Sequence, residues 1–385
     1  MKLSNSVTAE KIMIIKADSS GSLESLERMI DEVSSSKTSE GLMILSCDAN
    51  GFVPGDIDAI LKNVSIPLFG GIFPAVIHDG ELLEKGSIVV GMSGLVQTKF
   101  VPELSNEAID YELFLDELGA SRSGRTMLVF VDGFSKRITT FIESLFNVFG
   151  LHINYVGGGA GSLSMEPKPC LLTNSGMVGD GAVIAIFDLE SGVGVAHGWK
   201  LLKGPFQVTG SDRNVIVTLD WKPAFDIYRE IVETHTGIEF TDSNFFELAK
   251  AHPFGISRME SEQIVRDPIR VGADRSLVCV GEVPEGSFVS ILRGDEASIV
   301  EAAGKALALG RRAFPPQREV GLYLFMDCIS RVLFLGDGFQ KELNELSGRR
   351  HPLVGACTIG EIANCGTEYL EFYNKTAVVA VLEIK

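Results

Sequence analysis

The sequence predicts an α/β fold built from repeated strand–helix–strand units. Three observations carry this. Three segments open with a short apolar run and then turn polar at an Asp: "GLMILSCDANG" (41–51), "TMLVFVDGFS" (126–135) and "GLYLFMDCISR" (321–331). Each is followed by a stretch with helical periodicity. Each helix then runs into a second short strand with a small-residue exit, "IPLFGG", "INYVGGG" or "HPLVGA".

The elements follow in order. Continuous apolar runs bounded by turn signals suit strands covered on both faces. Asp48, Asp132 and Asp327 mark their C-terminal ends. The first helix has apolar residues at 57, 60, 61 and 64. The second has them at 138, 141, 142, 145 and 146 and closes on Gly150, a C-cap signal. "FQKELNELSG" repeats the pattern more weakly and closes on Gly348. From each Asp to the first exit glycine (Gly70, Gly157 or Gly355) is 22, 25 and 28 residues. A further apolar strand completes each unit: "GSIVVGM", "GAVIAIF" and "TAVVAVL".

Between the second and third units, "FQVTGS" and "NVIVTLD" read as strands. "PAFDIYREIV" reads as a helix started by Pro223. "DPIRVGADRSLVCVGEVPEGSFVSILRGD" reads as strands separated by turn residues, and "ASIVEAAGKALALG" as a helix. No linker is rich in Pro, Ser or Gly. Two packed halves are expected, residues 1–200 and 201–385.

The totals narrow the function. A net charge of −17 opposes binding to nucleic acid or an anionic membrane. Six cysteines (47, 170, 279, 328, 357 and 365) form no Cys-x-x-Cys pair, and most sit in or beside apolar runs. That pattern predicts reduced, buried thiols and a cytoplasmic protein. No segment has signal-peptide or membrane-helix character. "GGGAGS" fails the dinucleotide pattern, because Ser162 stands where its third glycine belongs and two prolines follow. No phosphate loop or G-x-S-x-G motif is present, so the chain reads as no enzyme. A Cys-dependent enzyme using Cys328 is the alternative of that class.

Several segments resemble the FIST family of sensory domains. In the C-terminal half these are "VAHGWKLLKGPFQVTGSDRNVIVTLDWKPAFDIY", "VPEGSFVSILRGD" and the strand end "FMDCISR" with Cys328 and Arg331. "GACTIGEI" resembles the family's Gly-Glu turn, and "EFYNKTAVVAVL" its closing strand, with Asn374 and Thr376. In the N-terminal half "GGIFPAVI" replaces a turn that in many members carries Gly-Glu. The resemblance implies a protein that binds a small molecule and passes the signal to a partner such as a histidine kinase. Some free-standing members of this size resemble haem-binding nitric-oxide sensors. The leading expectation is therefore a haem and nitric-oxide sensor; a sensor of an amino acid or similar zwitterion is the second. The oligomeric state is open.

Ligands of α/β sheets sit at the carboxyl ends of strands. The expected contacts are Cys328, Arg331, Gly355, Cys357, Thr358, Gly360, Glu361 and Asn374. Glu361 would hold an amine and Arg331 a carboxylate. The competing structural reading pairs Arg331 with Glu361. His197 is the candidate haem ligand, because it alone of six histidines lies on a strand-like run beside a glycine and an aromatic. Ile72, Phe73, Val76 and Ile77 either pack in the core or wall a porphyrin.

Overall fold

A computed structural model describes residues 13–117, 119, 124–241, 243–257, 263–348, 350–364 and 369–385. The expected α/β unit occurs three times. The first repeat runs β1 (Ile15–Asp18), α1 (Leu23–Ser34), β2 (Gly41–Cys47), α2 (Pro54–Asn63), β3 (Leu68–Phe73), a hairpin β4 (Ala75–His78) and β5 (Glu81–Leu83), then β6 (Ser87–Met92). The second runs β7 (Leu95–Pro102), α3 (Tyr111–Glu117), β8 (Thr126–Asp132), α4 (Ile138–Phe149), β9 (Asn154–Ala160), a hairpin β10 (Leu171–Thr173) and β11 (Gly176–Val178), then β12 (Gly181–Phe187).

The third repeat starts at β13 (Ser191–Ala196) and is then interrupted. The insert comprises β14 (Lys200–Asp212), β15 (Val215–Leu219), β16 (Lys222–Pro223), α5 (Ala224–Thr236), α6 (Phe245–Ala249), β17 (Phe254–Ile256), β18 (Ile264–Val271), β19 (Leu277–Val280) and β20 (Phe288–Arg293). The repeat resumes with α7 (Glu296–Ala313), β21 (Val320–Cys328), α8 (Ile329–Leu335), α9 (Phe339–Leu346) and β22 (Leu353–Thr358). It ends with the hairpin β23 (Glu361–Ala363) and β24 (Glu371–Tyr373), then β25 (Ala377–Glu383).

Each repeat makes the same sheet core. β2 lies parallel to β3 and antiparallel to β6; β8 lies likewise between β9 and β12, and β21 between β22 and β25. The hairpins do not stay with their own repeat. β4–β5 joins the third sheet beside β22, β10–β11 the first beside β3, and β23–β24 the second beside β9. The exchange is a closed ring. The sequence reading missed it, because each hairpin strand is too short to stand out from its exit motif.

These strands are apolar on both faces because both are covered. Leu128 and Phe130 of β8 point into a core shared by all three sheets, where Phe130 meets Phe69 and Phe73. Met127, Val129 and Val131 alternate to the other face, under α3 and α4. In the third sheet Leu324 and Met326 face the shared core, and Tyr323 and Phe325 face α7 and α9. "GGIFPAVI" belongs to this interior: Phe73 is fully buried and edge-on to Phe130 at 5.6 Å, and Ile72, Val76 and Ile77 are buried too.

The exit glycines occupy one topological position. Gly70 pairs with Ile44, Gly157 with Val129 and Gly355 with Phe325 in the parallel register. A Cβ at any of them would be driven into that partner's carbonyl oxygen. The three aspartates, by contrast, are not equivalent. Asp327 lies two residues beyond its register residue Phe325, Asp132 three beyond Val129, and Asp48 four beyond Ile44. Shared sequence spacing hid three different environments.

The insert is a small barrel ordered β14-β20-β17-β18-β19-β15, closed by β15 pairing back to β14. It packs against the exit hairpin of the third repeat, where β18 approaches β24.

Candidate ligand-binding site

All eight residues expected to bind ligand are buried, and the polar side chains among them divide among three networks. The first surrounds Arg331, which α8 places fully inside the protein. Its Nε lies 2.8 Å from Asp327 Oδ1, and its Nη2 2.5 Å from Glu342 Oε1. Nη1 donates to the His197 carbonyl at 2.8 Å and Nη2 to the Ile299 carbonyl at 2.9 Å. Arg331 therefore fastens α7, α8, α9 and the end of β13 together. Its ion pairs go to Asp327 and Glu342, not to Glu361. Burial pushes Asp327 well above the usual carboxylate range, and the Glu342 charge adds to this against the pull of Arg331. Burial also raises Glu342.

The second network holds the exit turn of β22. Thr358 Oγ1 is 2.8 Å from Glu361 Oε1 and 3.2 Å from the Asp327 carbonyl oxygen. The Thr376 backbone N–H donates to Glu361 Oε2 at 3.2 Å. Burial raises the Glu361 carboxyl to about 8. Cys328 and Cys357 are buried, and desolvation pushes both thiols up, which disfavours the thiolate. Cys47, Cys170 and Cys279 are also free and buried. Cys365 lies outside the described residues.

The third network joins the barrel to the repeats. Lys375, at a backbone φ of 53°, reaches Asp267 Oδ2 at 3.0 Å and donates to the Lys250 carbonyl at 3.0 Å. Ser330 Oγ donates to the same Asp267 oxygen at 2.9 Å. Trp199 lies under the Lys375 ammonium, 4.9 Å from ring centroid to Nζ, and its indole N–H donates to the Lys375 carbonyl. Arg266 donates to the carbonyls of Glu282 at 2.8 Å and Phe372 at 2.9 Å. Asn374 sits beside it.

Glu282 and Phe372 are also walls of a cleft of about 440 Å³ between the barrel and the second and third repeats. That volume falls in the range of small-ligand sites. Gly133, Phe134 and Lys136 enter from the loop after β8, Ile359 from the β22 exit turn, and Arg213 and Ile269 from the barrel. Glycines let these backbones meet. Ile359 N–H donates to the Gly159 carbonyl and Gly159 N–H to the Gly360 carbonyl, each at 2.8 Å. A side chain at Gly159 would strike the Ile359 carbonyl. The cleft thus lies at the carboxyl end of β8, where an α/β sheet exposes a site.

The corresponding strand ends of the other repeats are filled. Beyond β2, Asp48 accepts from Ser162 Oγ at 2.6 Å and pairs with Lys168 at 2.5 Å. Beyond β21, Arg331 and α8 occupy the space. The sequence reading placed the site at the strand end of the third unit; the open cleft lies at that of the second. The signal was present in "VDGFSKR", whose Asp132 is followed at once by the cleft residues Gly133 to Lys136. Of the expected turn, only Ile359, between Thr358 and Gly360, reaches the cleft.

Neither His197 nor the cleft fits haem. An axial ligand needs an imidazole nitrogen aimed into a broad apolar slot. His197 Nδ1 instead accepts the Trp199 backbone N–H at 2.9 Å, and the ring is buried beside the Arg331 network. None of the residues lining the cleft is a histidine. Phe73, the expected porphyrin wall, is core.

No described helix is long and apolar enough to cross a membrane. No curated protein matches the chain. Residues 41–222 match the FIST N domain and residues 224–364 the FIST C domain, with the junction at β16 inside the barrel. Carrying these two domains in tandem, from the start of β2 to just past β23, the chain belongs to the FIST family of signal-transduction sensor domains.

Proposed function

We propose that the protein senses a small zwitterion of the amino-acid class in the cleft between barrel and repeats. It then alters a separate signalling partner such as a histidine kinase. The carrying observation is the lining of the cleft. Lys136 and Arg213 bring positive charge and Glu282 negative charge, while Phe134, Ile359 and Phe372 supply apolar wall. A ligand with one carboxylate, one ammonium and a modest side chain complements that set. Arg213 also pairs with Glu107 at 2.7 Å, so Lys136 is the better-placed carboxylate partner. Transmission runs through Arg266, whose guanidinium holds the carbonyls of two wall residues, Glu282 and Phe372.

Thermal-shift titration with a panel of free amino acids tests this reading. A ligand should raise the melting temperature saturably. Lys136→Glu and Glu282→Gln should each reduce that shift at least tenfold in apparent affinity, as expected for loss of a charge-assisted bond. Both side chains reach the surface, so the unliganded melting temperature should hold. A protein that instead takes up haem one-to-one, with a Soret band that responds to nitric oxide and is lost in His197→Ala, overturns the zwitterion reading in favour of gas sensing.

A further inference from the structure

We propose that the barrel carries a second binding site, sharing one wall residue, Ile269, with the cleft, for a small aromatic carboxylate. A hollow of about 440 Å³ lies between α5, Phe240, Thr241, the 243–246 stretch and the end of β18. Phe225, Phe240, Phe245 and Phe246 form its walls. These rings pack edge to face or tilted at the margin of the core: Phe225 and Phe240 are 5.5 Å apart between centroids, and Phe240 and Phe245 5.6 Å. Buried Tyr228 supports them from below, 5.8 Å from Phe240. Phe246 is 43% exposed at the mouth. Such a wall accepts a flat ring by edge and offset contacts.

Two arginines stand at the rim. Arg229 is one helical turn on from Phe225, with its guanidinium 5.9 Å from that ring's centroid. Arg270 lines the opposite side and makes no ion pair among the described residues. Both are exposed. These two guanidiniums set positive charge beside apolar rings, with the Glu233 carboxylate held nearby on the Phe240 backbone N–H at 2.8 Å. A guanidinium matches a carboxylate in a two-pronged geometry and also stacks on aromatic faces. Ring and anion together define the ligand class. Neither a neutral hydrocarbon nor a polar zwitterion would use both halves of the site.

Calorimetric titration of the full chain with indole-3-acetate, and with its neutral counterpart indole-3-acetamide, tests the proposal. The acid should bind saturably at one site, and the amide at least tenfold more weakly. Arg270→Gln and Arg229→Gln, both at exposed positions, should each weaken the acid roughly tenfold and leave the amide unchanged. Lys136→Gln, in the cleft, should leave acid binding untouched, so the two sites are read independently. Equal binding of acid and amide, no saturable binding, indifference to both arginine substitutions, or loss of acid binding in Lys136→Gln would each overturn it.

Discussion

Glu361 shows what burial does to a single side chain. One hydroxyl proton on Thr358 cannot serve both the Asp327 carbonyl and an ionised Glu361. A protonated Glu361 resolves this by donating to Thr358 Oγ1, which then donates to Asp327. Burial raises the carboxyl from its ordinary 4.5 to about 8, in the same sense. Between those values the folded protein holds a proton that the unfolded chain has released. The contribution to stability is thus full below the lower value and declines as pH rises to the upper one. Glu361→Gln keeps both hydrogen bonds without the titration. Urea melts at pH 5, 7 and 9 should show the substituted protein matching the parent at pH 5 and exceeding it at pH 9; an unchanged pH slope would place the proton elsewhere. Sequence inspection found Glu361 and Arg331 as the buried charges of this region. It could not find their partners, because Glu342 comes from α9, and because the Asp327 to Arg331 spacing joins only once a helix starts at Ile329.

At the level of elements, the exit glycines are explained by contact, not flexibility. The parallel pairs β2–β3, β8–β9 and β21–β22 close so tightly that a Cβ would enter a carbonyl. Gly157→Ala should therefore cost about 1–3 kcal/mol, the range for forcing atoms into a packed interior, read as a lowered urea midpoint. Gly55→Ala is the control. It lies in the first turn of α2 with open space around the would-be Cβ, and should stabilise by about 0.5–1 kcal/mol. Equal effects at the two sites would remove the packing explanation. The central strands and α2, α4 and α9 were legible because apolar runs and helical spacing are local signals. The edge strands β1 and β7 were not, because they are only partly buried and show no continuous apolar run; the three hairpins were not, since their pairing is set by other repeats. For the same reason the cleft escaped detection: its walls come from loops that only tertiary structure assembles.

Across the whole molecule, the barrel strands could be read singly but their closure could not, because β14 pairs with both β20 and β15 across most of the insert. The cyclic exchange of hairpins has a further consequence, for how the chain is made. During synthesis β4–β5 emerges early, yet the strand it completes, β22, begins only at residue 353. Until then the β4 edge of that hairpin stays open, and the third sheet cannot finish without it. Contacts of such span slow folding and leave pairing edges exposed. A fragment ending at residue 198 should expose the hairpin, aggregate and be cut by protease near residues 75–83. Co-expression with residues 199–385 should restore a protected complex. A soluble, protease-resistant N-terminal fragment would show that the ring is dispensable. If it is not, a late-made segment licenses an early one, and an interrupted chain is marked for destruction by its own unfinished edge.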